Sequence, residues 1–128
     1  MSTVYVDTSA LVALAFGERG GRRIASTLES ADAVYSSNLL EAEFRATLLR
    51  EGVHDGTLLE RIAWVMPDRP LSSEIARVLE VGYLRGADVW HVACALFLEP
   101  QPRELSFVTL DTRQRKAARQ LGFPTPRP

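Results

Sequence analysis

The sequence predicts an α/β fold in which a mainly parallel sheet is covered by helices on both faces. Short runs of β-branched and aromatic residues, which suit strands, alternate with longer stretches whose apolar residues recur at helical spacing. Glycine and proline residues punctuate the junctions between these segments. Strands that alternate with helices in this way pair in parallel, because each helix returns the chain to the same edge of the sheet.

The first half of the chain is predicted to contain two strands and three helices. Gly17 and the Gly20-Gly21 pair break the helical stretches that follow the first strand. The side-chain amide of Asn38 is suited to cap the third helix. The predicted elements in order are a strand at 3–6, helices at 9–16 and 22–31, a strand at 34–36, and a helix from 38 to about 51.

The second half is predicted to contain four helices and two strands. Asp55 is suited to cap a helix that Pro67 ends, and Ser72 or Ser73 to cap the next one. The predicted elements are helices at 56–66 and 72–84, a very short strand within 64–71, a helix at 88–98, a strand at 106–110 and a helix at 112–121. The tail at 125–128 is expected to form a marginal edge strand or to be disordered.

Length and composition exclude several classes of protein. A chain of 128 residues corresponds to a single domain spanning 1–128. Its apolar stretches are too short to cross a bilayer and no secretory signal is recognisable, so we expect no membrane association and a cytoplasmic location. A single cysteine, Cys94, allows neither an internal disulfide nor a cysteine zinc site. The formal net charge of −1 argues against nucleic-acid binding by bulk electrostatics.

Four acidic residues stand where a parallel sheet would gather them. Asp7 and Asp111 each follow a predicted strand, Asp88 heads a predicted helix, and Glu43 lies inside another. The carboxyl ends of parallel strands meet at one edge of the sheet, where ligands bind in such folds. Because clustered carboxylates repel one another, a divalent cation is the usual occupant of such a group. The acids therefore predict a metal site.

Each acid also has a simpler interpretation. Asp7, Asp88 and Asp111 precede helices, where a carboxylate caps free amide groups. Glu43 is harder to explain in this way, because helical spacing places it beside apolar neighbours while Glu41 falls on the solvated face. No basic residue in the sequence is an evident partner for an inward Glu43.

Three polar residues near the acids have alternative roles. His91 lies three residues after Asp88, on the same helix face, and a core histidine with one hydrogen bond is favoured over a metal ligand. Support of the acidic site by a hydrogen bond is compatible with that interpretation. Thr8 and Ser9 are suited to hydrogen-bond a carboxylate or a bound phosphate, although helix starts favour hydroxyl groups in any case.

Four segments resemble, in order and spacing, the motifs of PIN-domain ribonucleases, and within that family those of VapC-type toxins from bacterial toxin–antitoxin pairs. They are VDTSAL at 6–11, SNLLEAEF at 37–44, LRGADVWHVACAL at 84–96, and FVTLD at 107–111 with LGFP at 121–124. The spacing from Ser37 puts Glu43, not Glu41, on the acidic position of the second motif. Trp90 and Cys94 depart mildly from the third motif and leave the acids untouched.

The resemblance implies a three-layer α/β/α fold with a central, mainly parallel sheet of four to five short strands. It further implies an endoribonuclease toxin that depends on Mg²⁺, with Mn²⁺ as a substitute, and that hydrolyses RNA phosphodiester bonds. A cognate VapB-like antitoxin and a homodimer are the implied partners. Arg113 or Arg115 is expected to contact the RNA backbone. The implied catalytic and metal-binding residues are Asp7, Glu43, Asp88 and Asp111.

An acidic pocket at strand ends has three other interpretations. A phospho-acceptor signalling domain needs paired acids beside the first strand and a lysine at a late strand end, whereas Thr8 follows Asp7 and Lys116 lies inside the last helix. A haloacid-dehalogenase-type phosphatase needs a second aspartate where Ser9 stands. A non-catalytic PIN-like binding subunit, which uses the acids to receive a partner's arginine, remains open as the alternative function.

Overall fold

A computed structural model describes residues 2–127 and contains, within them, one sheet of four parallel strands. The strands are β1 (Thr3–Val6), β2 (Ala33–Ser37), β3 (Ile62–Val65) and β4 (Ser106–Val108), in the spatial order β3-β2-β1-β4. β1 is central, with Tyr5 opposite Tyr35 of β2 and Phe107 of β4. The predicted parallel α/β sheet of four to five strands is confirmed.

Helices cover both faces of this sheet. They are α1 (Thr8–Ala15), α2 (Gly21–Ser30), α3 (Asn38–Arg50), α4 (Ser72–Val81), α5 (Gly86–Leu98) and α6 (Thr112–Leu121). The side chains of β1 alternate between two buried cores, as the pleat of a strand requires. Val4 and Val6 pack with α1, α2 and α3, whereas Tyr5 packs with α4, α5 and α6. The result is the expected three-layer α/β/α arrangement.

The predicted helix at 56–66 is wrong. The chain forms a short 3-10 helix, Thr57–Arg61, and then enters β3. Residues 62–65 pair in parallel with β2, from Val34 opposite Ile62 to Ser37 opposite Val65. Ile62 and Val65 are buried in different cores, so a long-range sheet contact outweighs the local helical pattern. The predicted short strand near 64–71 therefore exists, but it begins earlier.

Among the other boundaries that differ from the prediction, two do so because local groups leave the regular pattern. β4 ends at Val108, two residues early, since Thr109 turns its hydroxyl to Asp7. α4 ends at Val81, not at 84, because Gly82 adopts φ 156° and ψ 170°, which only glycine populates readily.

The C-terminal tail forms no strand over residues 125–127, and Pro128 lies outside the described residues. The tail is instead attached through Pro124, whose carbonyl accepts the Phe107 N–H at 2.8 Å. Among residues 2–127, no helix has the length and apolar character needed to cross a bilayer.

Candidate active site

The fold brings the four predicted acids to the carboxyl edge of the sheet. Asp7 directly follows β1, and Asp111 comes three residues after β4. Asp88 lies in the first turn of α5, and Glu43 lies in the second turn of α3. Burial raises the pKa of Asp88, and the negative charges of Asp111 and Glu43 raise it further. The four residues are thus close enough to act on one another electrostatically, although they come from separate elements.

Asp7 is the most enclosed of the four, with 3% of its surface exposed. Its Oδ1 caps α1 by accepting the Ala10 N–H at 3.0 Å, and Ser9 donates to both carboxylate oxygens at 2.9 and 3.0 Å. Thr109 Oγ1 lies 2.6 Å from Oδ2. Burial raises the pKa of Asp7 to about 6, with a smaller contribution from the charge of Asp88, although these hydrogen bonds lower it. Asp7 therefore caps α1, but its negative charge destabilises the folded state.

The hydrogen bonds around Thr109 also suit a protonated Asp7, the form that a pKa of about 6 favours below that pH. Thr109 Oγ1 lies 2.6 Å from Asp7 Oδ2 and 2.9 Å from Gln114 Oε1, and it accepts the Asp111 N–H at 3.0 Å. Gln114 Nε2 donates to the Asp88 carbonyl, which fixes the orientation of the amide. A hydroxyl has a single proton, so Thr109 can donate a strong hydrogen bond to only one of these two acceptors at a time. A protonated Asp7 that donates to Thr109 satisfies every group, because Thr109 then donates to Gln114.

Glu43 and Glu41 differ in their partners rather than in their exposure. Their side chains are 38% and 31% exposed, so the expectation that only Glu41 faces solvent is wrong. Glu41 is held by Arg45 at 2.9 Å and by Asn38 at 2.8 Å. Glu43 instead accepts a hydrogen bond from Thr8 at 2.7 Å, and its negative charge raises the pKa of Asp88. Glu43 alone of the two faces the other acids.

His91 connects the sheet to Glu43. It is 2% exposed, with Nδ1 2.8 Å from Tyr5 Oη and Nε2 3.3 Å from Thr8 Oγ1. Tyr5 Oη accepts the Ser37 N–H, so its own proton is free for Nδ1, and Nε2–H then donates to Thr8. Burial lowers the His91 pKa against the opposing effect of Glu43, which lies 3.6 Å away. His91 is a buried, neutral histidine with two partners.

The simple capping interpretation holds for two of the three aspartates. Asp7 and Asp111 are the N-caps of α1 and α6, and Asp111 Oδ1 accepts the Gln114 N–H at 2.8 Å. Asp88 is not a cap, because Arg85 occupies that position in α5 and Asp88 lies inside the first turn. The helix dipole and the charge of Arg85 favour an acid in this first turn, but they do not account for its place among other acids.

The donor chemistry of the site fits a hard divalent cation, since all four candidate ligands offer carboxylate oxygens. Within residues 2–127, however, no three Asp, Glu, His or Cys side chains are arranged closely enough to form a ready-made metal site. Asp7 is turned to Ser9 and Thr109, and Glu43 to Thr8. An incoming ion would therefore have to compete with these hydroxyl groups for the carboxylates.

Some polar residues of the site were predicted and others were missed. Thr8 and Ser9 hydrogen-bond carboxylates as expected. The sequence pattern does not predict roles for Tyr5, Thr109 and Gln114. Helical spacing does place Gln114 on the buried face of α6 with Ala117 and Ala118, and a buried glutamine on such a face indicates a polar partner.

The two arginines beyond Asp111 have different surroundings. Arg115 Nη2 donates to the Thr125 carbonyl, and its Nε is buried without a partner, so Arg115 is packed against the tail. Arg113 is exposed. Only Arg113 of this pair is placed to contact a ligand in solution.

The sequence matches the profile of the PIN domain over residues 4–120, nearly the whole chain and all four acids. The chain belongs to the PIN domain family. PIN domains are generally nucleases, and they usually use divalent metal ions. No curated protein matches the sequence significantly.

Proposed function

We propose that this PIN domain is a Mg²⁺-dependent endoribonuclease toxin of the VapC type, which hydrolyses RNA phosphodiester bonds and is neutralised by a cognate VapB-like antitoxin. The observation that carries the proposal is the meeting of Asp7, Glu43, Asp88 and Asp111, from four different elements, at the carboxyl edge of the sheet. Capping accounts for Asp7 and Asp111 singly but not for four mutually repelling acids at one edge of the sheet, whereas a cation-dependent nuclease requires them.

The roles of the acids follow from their positions. Asp7, Glu43 and Asp88 would form the main ligand set, and Asp111 would hold the metal or its waters. When bound, Mg²⁺ or Mn²⁺ supplies a water of lowered pKa and offsets charge on the phosphate oxygens. Thr8 and His91 hold Glu43 in place from the side of the sheet. Ser9 and Thr109 hold the carboxylate of Asp7 in the same way. Their hydroxyl groups can rotate when that carboxylate turns towards a metal ion.

The two neighbouring glutamates provide a matched test of this assignment. Glu43→Gln should lower the rate of RNA cleavage at least about 100-fold, because a bound metal contributes several kcal/mol of transition-state stabilisation. Glu41→Gln should leave the rate nearly unchanged, since Glu41 pairs only with Arg45 and Asn38 at the surface. Cleavage of a labelled RNA by the purified variants measures both rates. Equal activity of both variants with the wild type would refute the role of Glu43.

The toxin assignment leads to a prediction in cells. Expression of the wild type without its partner should arrest growth, and Asp88→Asn should relieve the arrest, because Asp88 adds a carboxylate to the site without capping its helix. Co-expression of a small protein encoded immediately upstream should restore growth, and the purified complex should be inactive on RNA. We expect the toxin itself to be a homodimer. A wild-type chain that is harmless and cleaves no RNA would contradict the assignment.

One observation favours a second function, that of a non-catalytic binding subunit. The acids of residues 2–127 do not form a ready-made metal group. In that case the acidic pocket would receive an arginine of a partner protein, for which charge-assisted hydrogen bonds are well suited. The two functions are distinguished by the cleavage assay, since only the first requires RNA hydrolysis in Mg²⁺.

A further inference from the structure

A pocket of about 180 Å³ lies between the end of α4 and the exposed face of α6. We call it the α4–α6 pocket. Its lining includes Val81, Gly82 and Tyr83 from the α4 end and Arg113, Lys116 and Gln120 from α6. Pockets for drug-sized ligands are typically about 300–1,000 Å³. The α4–α6 pocket is smaller, which suits one group of an extended ligand.

Three polar side chains that line this pocket have no partner within residues 2–127. Tyr83 is 74% exposed, and within residues 2–127 it makes no hydrogen bond or ring contact. Arg113 and Lys116 are also exposed and, in the described part of the chain, form no ion pair or hydrogen bond. By contrast, Arg115 and Arg119 on the same helix bind the tail at Thr125. An aromatic ring beside two unpaired cations is therefore presented to solvent.

Both walls of the pocket belong to segments that also carry acids of the candidate site. Asp111 caps α6, and Arg113 and Lys116 follow it on one face of that helix. A helix rises about 1.5 Å per residue and completes a turn in about 3.6 residues, so the two cations lie within about 8 Å of Asp111 along the axis but on a different side of the helix. On the other wall, Tyr83 lies in the connection 82–85 between α4 and the first turn of α5, which contains Asp88.

We infer that the α4–α6 pocket binds a segment of single-stranded RNA that extends away from the cleaved bond, with a base stacked on Tyr83 and neighbouring phosphates on Arg113 and Lys116. The inference rests on the proposed function for its choice of ligand and adds the path of the strand. RNA-binding surfaces combine aromatic platforms for unpaired bases with cations that follow the backbone. The two unpaired cations favour an anionic strand over a protein partner, although tyrosine and arginine are also enriched in protein interfaces.

The inference predicts different effects of the ring and the cations on binding. The measurement is fluorescence anisotropy of a labelled single-stranded RNA of about 8 nucleotides, in EDTA, over a range of KCl concentrations. Tyr83→Ala should weaken binding about tenfold with an unchanged salt slope, and Tyr83→Phe should retain affinity, because stacking needs the ring only. Arg113→Gln and Lys116→Gln should each reduce the slope of log K against log salt by about 0.7.

Matched controls lie on other surfaces of the chain. Leu49→Ala removes a side chain that is 77% exposed on α3, and Arg22→Gln removes a cation from α2, so both should bind RNA like the wild type. Equal affinity of Tyr83→Ala and Leu49→Ala, unchanged salt slopes, or equal binding of duplex and single strand would each overturn the inference.

Cleavage separates this inference from the proposed function. If the wild type cleaves RNA but Tyr83→Ala has an unchanged KM, the inference fails and the proposed function stands. If the wild type binds single-stranded RNA through Tyr83 and Arg113 but cleaves none in Mg²⁺, the pocket assignment stands and the nuclease assignment fails. Unchanged melting temperatures of the variants would show that exposed side chains, and not the fold, account for the differences.

Discussion

Replacement of Asp7 by asparagine is expected to stabilise the metal-free protein by up to about 3 kcal/mol at pH 7. The pKa of Asp7 is raised from 3.8 to about 6, chiefly by burial, and this difference corresponds to about 3 kcal/mol. Asparagine has nearly the shape of a protonated aspartate. Its Oδ1 can accept the Ala10 N–H, and its Nδ2 can donate to Thr109, which then donates to Gln114. The substitution therefore removes a costly charge and loses only the hydrogen bond from Ser9 to Oδ2, since Ser9 can still donate to Oδ1.

The difference in stability between the wild type and Asp7→Asn should depend on pH. Because the folded state binds the Asp7 proton more tightly than the unfolded state, the wild type loses stability as pH rises from about 4 to about 6. Asp7→Asn should not show this loss, so the advantage of the variant should be small at pH 4, grow up to about pH 6 and then stay constant. Urea unfolding in EDTA at several pH values measures the difference. A variant that is less stable at pH 7, or a difference independent of pH, would contradict a buried and costly Asp7.

When metal is present, the negative charge of Asp7 should stabilise the folded protein instead of destabilising it. A ligand that binds only the folded state stabilises it by about 2.7 kcal/mol when its free concentration is about 100 times its Kd. Mg²⁺ or Mn²⁺ should therefore raise the melting temperature of the wild type, because a cation favours the ionised acids that burial and mutual repulsion disfavour. Asp7→Asn should lose most of that rise, since it removes one of the proposed ligands. The stabilisation should increase with pH up to about 6, because the metal must displace the Asp7 proton.

The elements that could be predicted from sequence are those whose local pattern agrees with their long-range contacts. β1 is a β-branched run at the centre of the sheet, and α6 has the predicted bounds Thr112–Leu121. β3 was assigned to a helix because Ile62 and its neighbours follow a helical stretch, and only the pairing with β2 shows their strand character. The end of α4 depended on the conformation of Gly82, which no apolar pattern reveals.

The candidate site was predictable in its acids but not in the groups that hold them. The acids could be anticipated because strand ends and motif spacing mark their positions. The contact of Thr109 with Asp7 joins residues 102 positions apart, and that of Tyr5 with His91 joins residues 86 apart. Such bonds depend on strand order, which the sequence pattern leaves open. The difference between Arg113 and Arg115 likewise depends on where the tail packs.

Calorimetric titration of Mn²⁺ into the purified protein at pH 7 tests most directly whether the four acids form a metal centre. The expected result is saturable binding to the wild type with a matching rise in melting temperature, unchanged in Glu41→Gln and largely lost in Asp7→Asn. Glu41→Gln controls for non-specific attraction of the cation to surface carboxylates, since Glu41 is tied to Arg45. Absence of heat and of stabilisation in the wild type at millimolar Mn²⁺, or equal binding by Asp7→Asn, would contradict a metal centre at these acids.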